Sequence, residues 1–220
     1  MTSRKKKDPV KVDGQDSTSS SQVITSKVDE LQEFSYDLKV PKDRVAVLIG
    51  KGGQVKKQLE EATHSKLRID SQEGDVFITG KDSIGLFEAR EVIRAIARGF
   101  NPEIANLLLK QDYMFDVIDL LDYAPTKNGQ LRLKGRVIGQ EGKARRIIED
   151  LTDTHISVYG KTISIIGEIA SVGIAKRAIE RLLEGGMHAG VFKELEGKRR
   201  DMKLRKIHES FGMQKNSQDF

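Results

Sequence analysis

The chain repeats itself, and the repeat limits what it can fold into. Residues 48–69, LIGKGGQVKKQLEEATHSKLRI, lie over residues 137–158, VIGQEGKARRIIEDLTDTHISV, without a gap. The offset of 89 carries Gly50 to Gly139, Gly53 to Gly142, Leu59 to Ile148 and Glu60 to Glu149. The match continues with VFITG (76–80) over ISIIG (163–167) at an offset of 87, and with AREVIRAIARG (89–99) over AKRAIERLLEG (175–185) at 86. A tandem duplication of this kind calls for two copies of one supersecondary unit, with the small length changes absorbed in loops.

Both copies show one plan. An alternating stretch, FSYDLKVP (34–41) or FDVIDLLDYA (115–124), reads as a strand. A short apolar, helix-like segment then runs into the glycine pair. The helix that follows has a core face marked by Val55, Leu59 and Ala62, or by Ile147, Ile148 and Leu151. Two short β-branched runs come next, joined by Glu73, Gly74 and Asp75 or by Tyr159, Gly160 and Lys161. A longer amphipathic helix closes each copy, with Ala89, Val92, Ile93 and Ile96, or Ala175, Ile179, Leu182 and Leu183, on one side. The order strand, helix, helix, strand, strand, helix predicts an α+β fold: two units, each an antiparallel three-stranded sheet with helices on one face, packed together. Between the copies, NPEIANLLLKQD (101–112) reads as a helix with Asn101 as N-cap and Pro102 at its first position. The expected divisions are a flexible N-terminal segment over 1–33, a first domain over 34–100, a connector and second domain over 101–188, and a basic C-terminal tail over 189–220.

Charge is concentrated where the glycines are. Residues 42–57 carry a net +4 and residues 132–146 a net +5, while the whole chain is only +5, so the remainder is net negative. Basic residues gathered at glycine loops fit a polyanionic partner. At 37% hydrophobic and 32% charged residues, the chain has apolar content enough for real cores. No run of about 18 apolar residues could span a bilayer, and MTSRKKKDPVKV (1–12) lacks an apolar signal segment, so a cytoplasmic protein without a membrane partner is expected. The absence of cysteine excludes disulfides and thiolate metal sites. His64, His155, His188 and His208 are too scattered for a ligand set, and neither a metal nor a cofactor is expected.

The spacing of the glycines decides whose phosphate they would hold. A Walker loop places four residues between its glycines and follows with Lys and Ser or Thr; here two residues intervene, and Ala144 follows Lys143. A dinucleotide site needs a strand directly before its glycines and a parallel sheet around them, which neither copy offers. A helix, a Gly-x-x-Gly loop and a second helix inside this unit match instead the type I KH domain, a small reader of single-stranded nucleic acid. There the glycines let a sugar-phosphate backbone come close, and the next helix presents amides and its positive end. The candidate RNA-binding residues are Gly50, Lys51, Gly52, Gly53, Lys56 and Lys57 in the first copy. In the second they are Arg136, Gly139, Gln140, Glu141, Gly142, Lys143, Arg145 and Arg146. Bases would lie on LRI (67–69) or HISV (155–158), with His155 available for stacking and about four nucleotides per unit. Glu141 opposes a phosphate, whereas Lys51 favours one.

Two readings from other classes stay open. Asp116, Asp119 and Asp122 could serve a metal-dependent nuclease, although their alternation beside apolar residues fits a solvent-facing strand. A protein-interaction scaffold with weak or partial RNA binding is the other.

KGRVIGQEGKARRIIEDLTDTHISVYGKTISIIGEIASVGIAKRAIERLLEG (134–185), preceded by ARGFNPEIANLLLKQDYMFDVIDL (97–120), resembles the partner-of-Nob-one family of two-KH ribosomal RNA processing proteins, also called Dim-two. The resemblance covers about residues 36–188 and is most specific at GFNPEIANLLL and GRVIG. It implies a non-catalytic assembly factor that binds single-stranded RNA at the 3′ end of the small-subunit ribosomal RNA precursor and assists the Nob-type endonuclease that trims it. For archaeal members it implies association with the alpha subunit of translation initiation factor two. Eukaryotic relatives tend to lose the first glycine loop and to carry a long N-terminal extension, so the intact GKGG (50–53) points to the archaeal side. The second loop, often GKGG in relatives, is GQEG here. A monomer is expected.

Overall fold

The structure is a computed structural model that describes residues 34–215; the N-terminal segment expected to be flexible lies outside the described residues. The first unit comprises β1 (Phe34–Lys39), α1 (Lys42–Ile49), α2 (Gln54–Thr63), β2 (Lys66–Ile69), β3 (Asp75–Gly80) and α3 (Ser83–Ala97). A connector, α4 (Pro102–Ala105) and a 3-10 turn (Asn106–Leu109), leads into the second. That unit comprises β4 (Tyr113–Asp119), α5 (Lys127–Ile138), α6 (Lys143–Thr152), β5 (Thr154–Tyr159), β6 (Thr162–Glu168) and α7 (Ile169–Leu183), and α8 (His188–Lys215) follows it. Both sheets are antiparallel, with orders β1-β3-β2 and β4-β6-β5. The α+β class and the tandem arrangement are those expected from the repeat.

Apolar spacing builds one core per unit. Cross-strand partners share a face, so Leu67 opposite Ile78 and Ile156 opposite Ile165 set the inner face of each sheet. Against the first inner face pack Leu48, Leu59, Leu86, Val92, Ile93 and Ile96; against the second, Val137, Ile148, Val172, Ile179 and Leu182. Asp82 starts α3 by accepting the Ile84 amide on its side chain, at 3.0 Å, and Thr126 starts α5 by accepting that of Gly129, at 3.1 Å.

Four details depart from the sequence reading. Ala62 is exposed, and Thr63 takes the buried place one turn after Leu59 because its hydroxyl bonds the Leu59 carbonyl and Ser65 Oγ, each at 2.7 Å. Thr152 repeats this with Ile148 and Thr154. The strand expected over 115–124 begins at Tyr113 and stops at Asp119, whose carboxylate accepts the Leu121 amide at 2.9 Å and folds the chain into a turn. The connector helix is a single turn that tightens to 3-10 geometry, which stacks Ala105 and Leu108 at a three-residue spacing into the first core. The division expected at residue 188 falls on the first residue of α8, whose Val191 and Leu195 are buried in the second core.

The units are joined through the outer face of the second sheet. β6 is buried on both sides: Ile163 and Ile165 face their own helices, while Ile166 belongs to the first unit's core. Phe115 meets Phe100 edge-on at 6.3 Å and carries the Arg94 guanidinium over its ring at 5.6 Å. Polar contacts rim this seam. Ser157 Oγ donates to the Arg98 carbonyl at 2.9 Å, and the Tyr159 hydroxyl donates to Asp43 at 2.6 Å, a bond that raises the phenol's pKa. Ile166 has no exposed surface, so Ile166→Ala is expected to cost about 2–4 kcal/mol in urea unfolding. A loss below about 1 kcal/mol would show that the seam is not a packed core.

Candidate nucleic-acid interface

Each glycine loop is a sharp left-handed corner between two helices. Gly50 ends α1 with φ +73° and its amide donates to the Ala46 carbonyl; Gly139 ends α5 with φ +71° and donates to Gly135. A Cβ at Gly50 would sit 2.4 Å from Val55 Cγ2, and one at Gly139 would sit 2.6 Å from Ala144 Cβ. Only glycine lets the second helix begin so close to the first. Two further left-handed residues then complete each loop: Gly52 and Gly53 in the first, Glu141 and Gly142 in the second. Glu141 thus stands at the position of Gly52 with φ +53°, a backbone that costs a non-glycine residue about 1 kcal/mol.

The corner leaves the start of the next helix open. Gly53 and Gly142 are the N-caps of α2 and α6, and neither helix start is capped by a side chain. The positive end of each helix therefore faces outward, where an anion can accept from its amides. The segments around it carry half-buried apolar side chains: Ile49, Val55 and Ile69 in the first unit, Ile138 and Val158 in the second. His155 is exposed on the outer face of β5, shared with its partner Ile166, and not on this apolar floor.

The cations near the loops divide into free and employed. Lys51 and Lys57 in the first unit, and Lys143 and Arg146 in the second, are exposed and form no ion pair among the described residues. Gln140 and Glu141 are also exposed. Lys56 instead lies 3.8 Å from Glu60, and its counterpart Arg145 lies 3.5 Å from Glu149. Those carboxylates hold the edge strands: Glu60 accepts the Leu67 amide and Glu149 the Ile156 amide, each at 2.7 Å. The two glutamates were visible in the repeat only as a matched pair, because their strand partners are seven residues away.

Arg136 is employed elsewhere as well. Its Nε donates to the Leu182 carbonyl at 3.0 Å and its Nη2 to the Gly186 carbonyl at 2.7 Å, tying α5 to the end of α7. In the first unit Arg44 ties α1 to the end of α3 through the Ile96 and Phe100 carbonyls, at 2.9 and 2.5 Å. The two arginines are not counterparts in the repeat. At the offset of 89, Arg44 matches Leu133 and Val47 matches Arg136, so one turn of helix exchanges the arginine and the apolar residue while the tie is kept. In both units a cation satisfies carbonyls at a helix C-terminus, where the dipole favours it.

The carboxylates considered for nuclease chemistry are employed separately. Asp116 binds Lys176 at 2.9 Å, which raises the lysine's pKa, Asp119 caps its turn, and Asp122 is exposed. Among the described residues no cluster of three or more histidine, aspartate and glutamate side chains could hold a metal ion.

Comparison with known proteins locates this geometry in a family. A KH domain model matches residues 35–95, and the eukaryotic type KH domain (type I) found second in PNO1 matches residues 114–200. A KH domain-containing protein of Methanocaldococcus jannaschii is 53% identical over 170 residues, covering 76% of this chain and 74% of the relative. The chain belongs to the PNO1/Dim2 family. Another relative of this chain, the RNA-binding protein pno1 of Dictyostelium discoideum, is 29% identical over 76% of this chain and 72% of its own. The Dim2 protein of Pyrococcus horikoshii, solved in complex with the alpha subunit of initiation factor two and ribosomal RNA, is 41% identical. The match has a TM-score of 0.74 over 80% of this chain and 99% of that one.

Within a PNO1/Dim2 loop the glycines are not equivalent. Gly139→Ala brings both a forbidden contact and left-handed strain and is expected to cost more than about 2 kcal/mol of stability. Gly142→Ala, at φ +77° with nothing within 4 Å of a Cβ, should cost about 1 kcal/mol. Equal losses in thermal unfolding would contradict the corner geometry.

Proposed function

We propose that this protein is a single-stranded RNA-binding assembly factor of the small ribosomal subunit, which holds the 3′-end region of the 16S-type ribosomal RNA and assists its maturation. The observation that carries the reading is the pair of left-handed glycine corners, each with an uncapped helix start and two unpaired cations. That arrangement suits a phosphate backbone, and the apolar side chains beside it suit unstacked bases. The ribosomal RNA in the complex of the Pyrococcus horikoshii relative supports the choice of RNA, and the initiation factor in it supports that alpha subunit as a partner. A Nob-type endonuclease is the second proposed partner, with the protein acting as a cytoplasmic monomer that takes no catalytic part.

The first loop is the stronger of the two. Lys51 and Lys57 act there without an opposing acid, whereas Glu141 sets a negative charge inside the second loop beside Lys143 and Arg146. Neutralising about four phosphates gives a slope near −3 for the logarithm of affinity against that of salt, measured by fluorescence anisotropy with a small-subunit 3′-end oligonucleotide. A slope near zero would remove the electrostatic basis of the proposal. In the same assay, joint Lys51→Asp and Gly52→Asp substitution is expected to weaken binding more than tenfold, and joint Gln140→Asp and Glu141→Asp less. If both folded double variants bind as the parent does, the loops do not hold RNA and a protein scaffold is the better account.

A further inference from the structure

We propose that the outer face of the β1-β3-β2 sheet is an additional RNA contact, where a strand leaving the first glycine loop stacks a base on Phe77 and sets its phosphates against Lys66 and Arg68. The inference rests on the RNA reading above. On this face Arg68 pairs across the strands with Phe77, and Lys66 with Thr79. Phe77 is 44% exposed in the middle strand, and Lys66 and Arg68 are exposed with no ion pair among the described residues. Together with Leu67 they line a depression of about 410 Å³.

The second unit shows what the face would otherwise be for. The repeat places Ser164 at the position of Phe77 and Ile166 at that of Thr79, and both are fully buried where the first unit covers them. The first sheet carries instead an aromatic ring beside cations, the combination that single-stranded nucleic acid favours, because every base has a face to stack and every linkage a charge. The cations lie on the β2 side. On the β1 side Asp37 stands opposite Phe77, and Lys39 is paired with Asp75. β2 is also the edge strand whose inner residues, Leu67 and Ile69, belong to the first core beside the glycine loop. A strand that crosses this edge passes from one surface to the other.

The test compares four- and ten-nucleotide single-stranded RNAs from the small-subunit 3′ end. Phe77→Ala is expected to lower affinity for the ten-nucleotide RNA about fivefold or more and to leave the four-nucleotide affinity unchanged. Joint Lys66→Ala and Arg68→Ala should reduce the salt slope for the longer RNA by about 1.4. Photocrosslinking of a thiouridine-substituted ten-nucleotide RNA to the unsubstituted protein should map to Phe77, a readout that does not depend on how any variant folds. Crosslinks confined to the glycine loops, or unchanged ten-nucleotide affinity in folded variants, would overturn the inference while leaving the loops' role intact. Sedimentation showing a dimer that Phe77→Ala abolishes, with RNA affinity unchanged, would overturn it in favour of self-association. Failure of the unsubstituted protein to bind either RNA would overturn the RNA reading itself.

Discussion

The corner at Gly50, repeated at Gly139, is the constraint from which the rest follows. A left-handed residue without a Cβ lets the second helix of each unit start against the end of the first, so the two helices pack while the start of the second stays open. Everything around the corner holds that geometry. Arg44 and Arg136 anchor the first helix to the end of the last, and Glu60 and Glu149 anchor the edge strand to the second helix. Cations and carboxylates that look like an RNA-binding set in sequence are thereby divided: some build the site, and others face the solvent beside it.

Duplication has kept the frame and changed its uses. The arginine tie moves one helical turn between copies, with Val47 and Leu133 filling the position it leaves. The outer face of one sheet is buried by the neighbouring unit through Ile166, while the same face of the other presents Phe77 to solvent. The loop itself differs, since Glu141 accepts a strained left-handed backbone where its counterpart is Gly52. Two units of one fold are therefore fixed to one another through a packed seam and still carry loops of different charge and backbone strain. If both loops hold one strand as proposed, the packed seam sets the second at a high effective concentration once the first is occupied.

The order of elements and the position of both loops were legible in the sequence, because apolar spacing and glycine placement are local properties. Val92, Ile93 and Ile96, and Ile179, Leu182 and Leu183, fall on the buried side as their periodicity implies. What was not legible depends on partners distant in sequence. Nothing near Arg136 says that its guanidinium reaches Leu182 and Gly186. That Lys56 and Arg145 lie beside Glu60 and Glu149, carboxylates that also hold strands, is likewise set by contacts only the fold makes. Ala62 continues the apolar spacing, yet Thr63 is the buried residue, because a buried hydroxyl needs acceptors that only the folded turn supplies. The end of β4 depended on one side chain, Asp119, turning the backbone at Leu121.

Backbone amide shifts on an isotope-labelled protein titrated with a four-nucleotide RNA from the small-subunit 3′ end, too short to bridge both loops, test the unequal grip most directly. Amides of residues 51–57 should shift first, and those of residues 140–146 should follow at higher RNA concentration. Simultaneous saturation of the two sets would contradict the inequality assigned to Glu141, and shifts confined to surfaces away from both loops would contradict the role of the glycine corners altogether.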